Sequence, residues 1–139
     1  MADVENKIKA SRGYVVSNNI ELRRMDLENR GTSMRVFMEI EVADLFTMLE
    51  EDNNKIKLID IRNTGEYDQG SIPGSENLPV HMLAEKMSEL DRNKTLVFYC
   101  QVGIRSAQIC AWFLENGFKK VHNLRGGIYA WMQSGLQVA

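Results

Sequence analysis

The sequence predicts an α/β fold with a central parallel sheet of about five strands and helices on both faces. Segments with strand character alternate with segments of helical periodicity through most of residues 36–134. That order is typical of parallel sheets covered by helices. Residues 95–99 are apolar throughout, as expected of a strand buried on both faces. A length of 139 residues with 44% apolar side chains fits one domain with its own core.

The first half of this alternation contains two strands. In chain order, the predicted elements are a strand at 36–40, a helix at 41–50, a strand at 57–61, a helical turn at 64–67, a turn at 72–75 and a short extended segment at 76–80. Apolar residues recur at helical spacing through 41–50. Thr64 is the expected cap of its helical turn. Pro73 and Gly74 suit adjacent positions of a tight turn.

The second half contains the longest apolar segments. Its predicted elements are a helix at 82–90, a strand at 95–99, a helix at 106–116, a strand at 120–124 and a helix at 128–134. The helix at 106–116 is apolar on two faces, which indicates contact with much of the core. Asn116 and Gly117 are a natural helix end. Gly126 and Gly127 are expected to turn the chain into the last helix.

Composition narrows the class of protein. Residues 1–33 have little pattern and are interpreted as an extension, so that the domain covers residues 34–139. The net charge of −2 disfavours a nucleic-acid surface. No segment resembles a signal peptide or a membrane helix. The two cysteines and two histidines form no tight cluster, which argues against a zinc site. The two cysteines are poorly spaced for a disulfide, so reduced thiols and a cytoplasmic location are predicted.

Cys100 is the strongest candidate for chemistry. It follows the apolar strand at 95–99 and precedes a helix. Backbone N–H groups and the positive end of a helix favour a thiolate at such a place. Asp60 ends a second predicted strand, and ligands bind at the carboxyl edge of parallel sheets. Both residues are therefore expected at the functional edge of the sheet.

Four segments together resemble the single-domain rhodanese family of sulfurtransferases. They are L-I-D-I-R at 58–62 with Glu66-Tyr67 behind it, G-S-I-P-G-S-E-N-L-P at 70–79, C-Q-V-G-I-R-S at 100–106, and G-G-I-Y-A-W at 126–131. They occur in the family's order and spacing, over about residues 36–135. Ser71 stands where the family often has His, at a turn away from the chemistry.

The resemblance implies a rhodanese-like fold and a thiol that accepts a sulfane sulfur and passes it on. Cys100 would be the nucleophile and carry the persulfide, with no metal and no cofactor. The implied substrate-binding residues form a ring of backbone N–H groups around the outer sulfur; they are Gln101, Val102, Gly103, Ile104, Arg105 and Ser106. Asp60 and Arg62 would brace the site. In the competing structural interpretation, Asp60 only caps a turn and Arg62 only pairs with Glu66.

The implied partners are a small sulfur donor or a protein persulfide, and a thiophilic acceptor. The acceptor would be cyanide in vitro and a thiol or protein in the cell, with neither nucleic acid nor membrane involved. Rhodaneses that use thiosulfate well often have basic residues inside the loop. Arg105 is the only cation in this loop, so a persulfide donor fits at least as well as thiosulfate.

The loop itself predicts how the thiol is activated. No His lies within it, which favours electrostatic activation over a general base. Four residues separate Cys100 from Arg105, one fewer than in cysteine phosphatases, so a tetrahedral phosphate should fit poorly. A persulfide carrier or interaction module without turnover is the alternative function, and a phosphatase or arsenate reductase is a distant one. Cys110 is interpreted as a core residue, and His81 and His122 as surface or edge residues.

Overall fold

The computed structural model describes residues 14–16 and 35–139. Its strands are β1 (Tyr14–Val16), β2 (Arg35–Ile40), β3 (Ile56–Asp60), β4 (Glu76–Asn77), β5 (Thr95–Tyr99) and β6 (Val121–Leu124). All neighbouring strands are parallel, in the order β1-β2-β6-β5-β3-β4. The predicted parallel sheet is confirmed, with β1 added at one edge. The predicted boundary at residues 33 and 34 lies outside the described residues.

Within residues 35–139, four helices lie between successive strands and a fifth follows β6. They are α1 (Val42–Asp52), α2 (Thr64–Asp68), α3 (Val80–Lys86), α4 (Ile104–Glu115) and α5 (Gly127–Gln133), and short 3-10 turns follow α1 and α3. The cap of α2 is Asn63 rather than the predicted Thr64, because the Asn63 side chain accepts a hydrogen bond from the N–H of Glu66 at 2.8 Å. No helix within the described residues is long and apolar enough to cross a bilayer.

The sheet separates two apolar cores. Successive β5 side chains point to opposite faces, so Phe98 packs with α3 and α4 while Val97 packs with α1 and α5. Both residues are fully buried. This explains why residues 95–99 show no alternation of apolar and polar types. The helices therefore cover both faces, as predicted, and leave the carboxyl edge of the strands to the loops.

Candidate active site

Cys100 lies directly after β5, at the carboxyl edge of the sheet. Cys100 is only 4% exposed, and it lines a cavity of about 460 Å³. The cavity lining includes Ile61, Arg62, Glu66, Val102, Ile104 and Arg105. Val102 and Ile104 are 50% and 68% exposed, so the entrance has an apolar rim above a buried thiol.

The loop after Cys100 is shorter than the sequence predicts. Helix α4 begins at Ile104, two residues before the predicted start at Ser106. Gly103 precedes it with φ +93°, a left-handed conformation that lets the chain turn sharply into the helix. Ile104, Arg105 and Ser106 therefore belong to the first helical turn, and only residues 101–103 form a loop.

Among the described residues, two hydrogen-bonding groups contact the Cys100 sulfur. The Gly103 N–H donates to Sγ at 3.1 Å, and the Ser106 Oγ lies 3.3 Å from it. Other N–H groups of the loop and first turn have no hydrogen-bond partner among residues 35–139; they are those of Gln101, Val102, Ile104 and Arg105. The first N–H groups of a helix have no partner within that helix. They make this site a ready acceptor of negative charge.

The start of α5 supports the loop from behind. The N–H groups of Ile128 and Tyr129 donate to the carbonyl oxygens of Cys100 and Gln101, each at 3.0 Å. Gly127 makes this approach possible: it has φ +61°, and an added Cβ would lie 2.4 Å from the Cys100 oxygen. The predicted glycine turn thus positions the backbone of Cys100.

Asp60 and Arg62 form a buried ion pair beside the cavity. The Arg62 Nη2 lies 2.7 Å from Asp60 Oδ2, and its Nε contacts both carboxylate oxygens. Asp60 is 0% and Arg62 8% exposed. Burial opposes the Arg62 charge, but the hydrogen bonds and charge of Asp60 outweigh it, so the pKa of Arg62 is raised. The interpretation that Arg62 pairs with Glu66 is wrong, because Asp60 is its ion-pair partner.

This pair is linked to the rest of the edge. Arg62 Nη2 donates to the Gly70 oxygen at 2.7 Å, and Nη1 lies 3.5 Å from the Gln101 Oε1. Asn77 Nδ2 donates to the backbone oxygens of Asp60 and Arg62 at 3.0 and 2.9 Å. The structure therefore places Asp60 and Arg62 next to the loop, and in the described part of the chain one long side-chain hydrogen bond joins Arg62 to it.

Comparison with known protein families identifies the family of this chain. A family model described as a rhodanese-like domain matches residues 41–134, which is well over half of the chain. The chain belongs to the rhodanese-like domain family. The match extends from the start of α1 to the end of α5 and includes every site residue that the sequence predicts.

Relatives of this rhodanese-like chain include proteins named as sulfurtransferases. It is 42% identical over 87 residues to a sulfurtransferase of Allochromatium vinosum, covering 63% of this chain and 81% of that one. It is 40% identical over 93 residues to the putative sulfurtransferase YtwF of Bacillus subtilis, covering 67% and 88%. A crystal structure of a rhodanese-related protein from Thermoplasma volcanium matches with TM-score 0.62 and 29% identity, covering 73% of this chain and 96% of that one.

Two polar residues of the rhodanese-like site are absent from the sequence predictions. Asn123 on β6 is 1% exposed and hydrogen-bonds to Ser106. Glu39 on β2 accepts from Asn123 Nδ2 at 3.1 Å, and burial is the main reason that its pKa is raised. A polar amide inside a buried strand is unusual, and that signal was available in the sequence.

The two histidines differ from each other. His81 is exposed, as predicted. His122 lies on β6, an interior strand, and its Nδ1 is buried without a hydrogen-bond partner in the described part of the chain. Burial lowers the pKa of His122. His122 is therefore half-buried on an interior strand, so the prediction of an edge position is wrong.

Proposed function

We propose that this chain is a rhodanese-type sulfurtransferase that moves a sulfane sulfur from thiosulfate or a persulfide to a thiophilic acceptor through a Cys100 persulfide. The observation that carries the proposal is a buried cysteine at a cavity whose surrounding N–H groups are unpartnered among the described residues. Relatives named sulfurtransferase support the same reaction class. A reducing cytoplasm is the proposed location, because the mechanism requires a free thiol.

In the first step, the Cys100 thiolate attacks the outer sulfur of the donor. A new S–S bond forms at Cys100 Sγ, and the donor's own bond to that sulfur breaks. With thiosulfate, sulfite leaves with the bonding electron pair. With a persulfide donor, the leaving group is a thiolate. The Gly103 N–H, 3.1 Å from Sγ, stabilises negative charge on the attacking sulfur.

In the second step, the acceptor attacks the outer sulfur of the Cys100 persulfide. The Cys100–sulfur bond breaks, and Sγ recovers the electron pair as a thiolate. With cyanide the product is thiocyanate, and in the cell the acceptor would be a thiol or a protein. The unpartnered N–H groups of the loop and first turn of α4 would surround the outer sulfur, which carries the charge of the loaded state.

The rim of the cavity favours a persulfide donor over a small dianion. Val102 and Ile104 are the exposed apolar residues at the entrance. Arg62 already neutralises Asp60, which leaves Arg105 as the cation of the lining without an ion-pair partner among the described residues. One exposed cation attracts a dianion only weakly in water. Thiosulfate is therefore proposed as a working donor in vitro, and a persulfide as the better one.

The test is thiocyanate release from thiosulfate and cyanide, with Cys100→Ser and Cys110→Ser compared. Cys110 is fully buried in the core, so its variant controls for loss of any thiol. We expect turnover in the wild type and in Cys110→Ser, and none in Cys100→Ser. Sulfur loading without turnover would instead favour the carrier function. Hydrolysis of an aryl phosphate without any sulfur loading would favour a phosphatase and contradict the proposal.

A further inference from the structure

A chain of hydrogen bonds leads from the Cys100 sulfur across the sheet to Glu39. Ser106 Oγ, in the first turn of α4, lies 3.3 Å from Sγ and hydrogen-bonds to the Asn123 Oδ1 on β6. Asn123 Nδ2 lies 3.0 Å from the Gly103 carbonyl oxygen and 3.1 Å from Glu39 Oε2. Ser106 and Asn123 are 0% and 1% exposed, so water does not reach their side chains.

The chemistry of these groups fixes where each proton points. The Gly103 carbonyl only accepts hydrogen bonds, so the NH₂ end of Asn123 must face it. The amide oxygen of Asn123 then faces Ser106, and it too only accepts. The single hydroxyl proton of Ser106 therefore goes to Asn123. What Ser106 turns toward the Cys100 sulfur is a lone pair of its oxygen.

We propose that Asn123 is a positioning residue that directs the Ser106 proton away from Cys100 and thereby favours the thiol over the thiolate in the empty site. A Cys100 thiol donates to the Ser106 oxygen and completes the chain. A thiolate faces that oxygen's lone pair unless the hydroxyl rotates. Rotation would leave the buried Asn123 oxygen without a donor, which is costly.

The same hydrogen bonds do not oppose formation of the Cys100 persulfide. This part of the inference rests on the proposed function. Once Cys100 carries a second sulfur, Sγ has neither a proton nor a full charge. The negative charge lies on the outer sulfur, beyond the reach of Ser106. Asn123 thus moderates the reactivity of the empty thiol while leaving the persulfide to the N–H groups of the loop.

Several charged or titratable groups surround this chain. They are Glu39 from β2, Asp60 and Arg62 from the end of β3, Glu66 from α2, Arg105 and Cys110 from α4, and Arg125 after β6. Burial above all raises the pKa of Cys110, which follows Ser106 by one helical turn. Of these charged or titratable side chains, Glu39 is the one that hydrogen-bonds to Ser106 or Asn123 within the described residues. Glu39 touches the NH₂ end of Asn123, so the direction of the Ser106 proton does not depend on it.

The test is the pH profile of Cys100 alkylation by iodoacetamide, with the adduct located at Cys100 by peptide mass spectrometry. The full-length wild type is compared with Asn123→Ala, Ser106→Ala and the double variant. Asn123→Ala leaves the Ser106 hydroxyl free to donate to the Cys100 sulfur. The pH at which the alkylation rate is half of its maximum should therefore fall by about one unit. Ser106→Ala removes the opposing lone pair, so its midpoint should also fall. In the Ser106→Ala background, Asn123→Ala should add no further shift.

Each other outcome overturns the inference. A midpoint that rises or stays unchanged in Asn123→Ala contradicts the proton assignment. A shift that persists without Ser106 shows that Asn123 acts through the Gly103 backbone instead. If circular dichroism shows that Asn123→Ala is not folded, the test depends on Ser106→Ala. An alkylation midpoint that does not fall in Ser106→Ala then contradicts the inference. Alkylation needs no sulfur donor, so failure of the sulfurtransferase assay and failure of this test are separate results.

Discussion

The ends of β3 and β5 are neighbours at the same edge of the sheet, yet their hydrogen bonding is opposite. After β3, both Asp60 carboxylate oxygens are paired with Arg62, and the Asn77 side chain donates hydrogen bonds to the backbone oxygens of both residues. After β5, the N–H groups of residues 101, 102, 104 and 105 have no hydrogen-bond partner in residues 35–139. N–H groups left without a partner at the start of a helix are a ready site for negative charge. Such donors therefore indicate a ligand, whereas a saturated end indicates a brace.

This contrast separates two kinds of variant. Changes at the saturated end should reduce the free energy of unfolding, because buried charges would lose their partners. Side-chain changes at the open end should slow sulfur loading with little effect on stability, whereas a change that displaces its backbone should reduce both.

The largest effect is expected from Asp60→Asn. It keeps the shape of the side chain but leaves the buried Arg62 charge unpaired, so we expect a loss of about 4 kcal/mol in stability, measured by urea unfolding. Glu76→Gln is the matched control. Glu76 pairs with Lys57 at 2.7 Å on the neighbouring strand, but both side chains are more than a third exposed, so the loss should be under about 1 kcal/mol. Equal losses in the two variants would remove the distinction.

Gly127→Ala should damage the open end through its backbone. The new Cβ would meet the carbonyl oxygens of Cys100 and Gln101 at 2.4 and 2.6 Å, at φ +61°. We expect a loss of about 3 kcal/mol and little sulfur loading, because the loop must shift. Gly135→Ala is the control, with φ +81° and no atom within 4 Å of its Cβ. It should lose only about 1 kcal/mol and load normally; loading in both variants would argue against support from α5.

Arg105→Gln should affect rate and leave stability nearly unchanged. Arg105 is exposed at the cavity, so urea unfolding should change by less than about 0.5 kcal/mol. Loading from thiosulfate should slow by about tenfold, or about 1.4 kcal/mol in the barrier, and loading from an uncharged alkyl persulfide should slow less. Lys119→Gln, an exposed residue outside the cavity, controls for net charge. Equal slowing with both donors would show that Arg105 does not select for charge.

The smallest effect concerns the dependence of stability on pH. Burial lowers the folded-state pKa of His122 below its ordinary 6.5, so the unfolded chain binds a proton first as the pH falls. Wild-type stability should therefore decrease from pH 6.5 down to the folded-state pKa. His122→Leu should lose less of its stability between pH 7.5 and 5.5, measured as the shift in urea midpoint. His81→Gln, at an exposed position, should behave as the wild type does; a His122→Leu profile parallel to wild type would contradict this assignment.

Local patterns in the sequence predict most of the fold. The apolar segment at 95–99 corresponds to β5, and the order of strands and helices predicts the parallel sheet with covered faces. Helix ends are predicted less well. The start of α4 differs by two residues, because a left-handed Gly103 permits an abrupt turn that propensity alone does not reveal.

The site is predictable only where one segment contains it. Cys100 and the residues after it are adjacent in the chain, so their proximity follows from connectivity. Asn123, Ser106 and Glu39 come together because β6 lies between β2 and β5 and because α4 packs on that face. Strand order is a property of the whole sheet, and no local signal shows that Asn123 would meet Ser106. The sequence places Asp60 and Arg62 near the site, but it does not predict that they pair with each other. The Asn77 hydrogen bonds to their backbone oxygens depend on the path of β4.

The central claim is that the buried thiol of Cys100 accepts one sulfur atom into a ring of backbone N–H groups. Intact-mass spectrometry after incubation with thiosulfate or an alkyl persulfide, comparing the wild type with Cys100→Ala, tests it most directly. The account predicts that the wild type gains the mass of one sulfur atom, which cyanide removes, and that Cys100→Ala gains none. A gain that also occurs in Cys100→Ala, or no gain in the folded wild type with either donor, would contradict it.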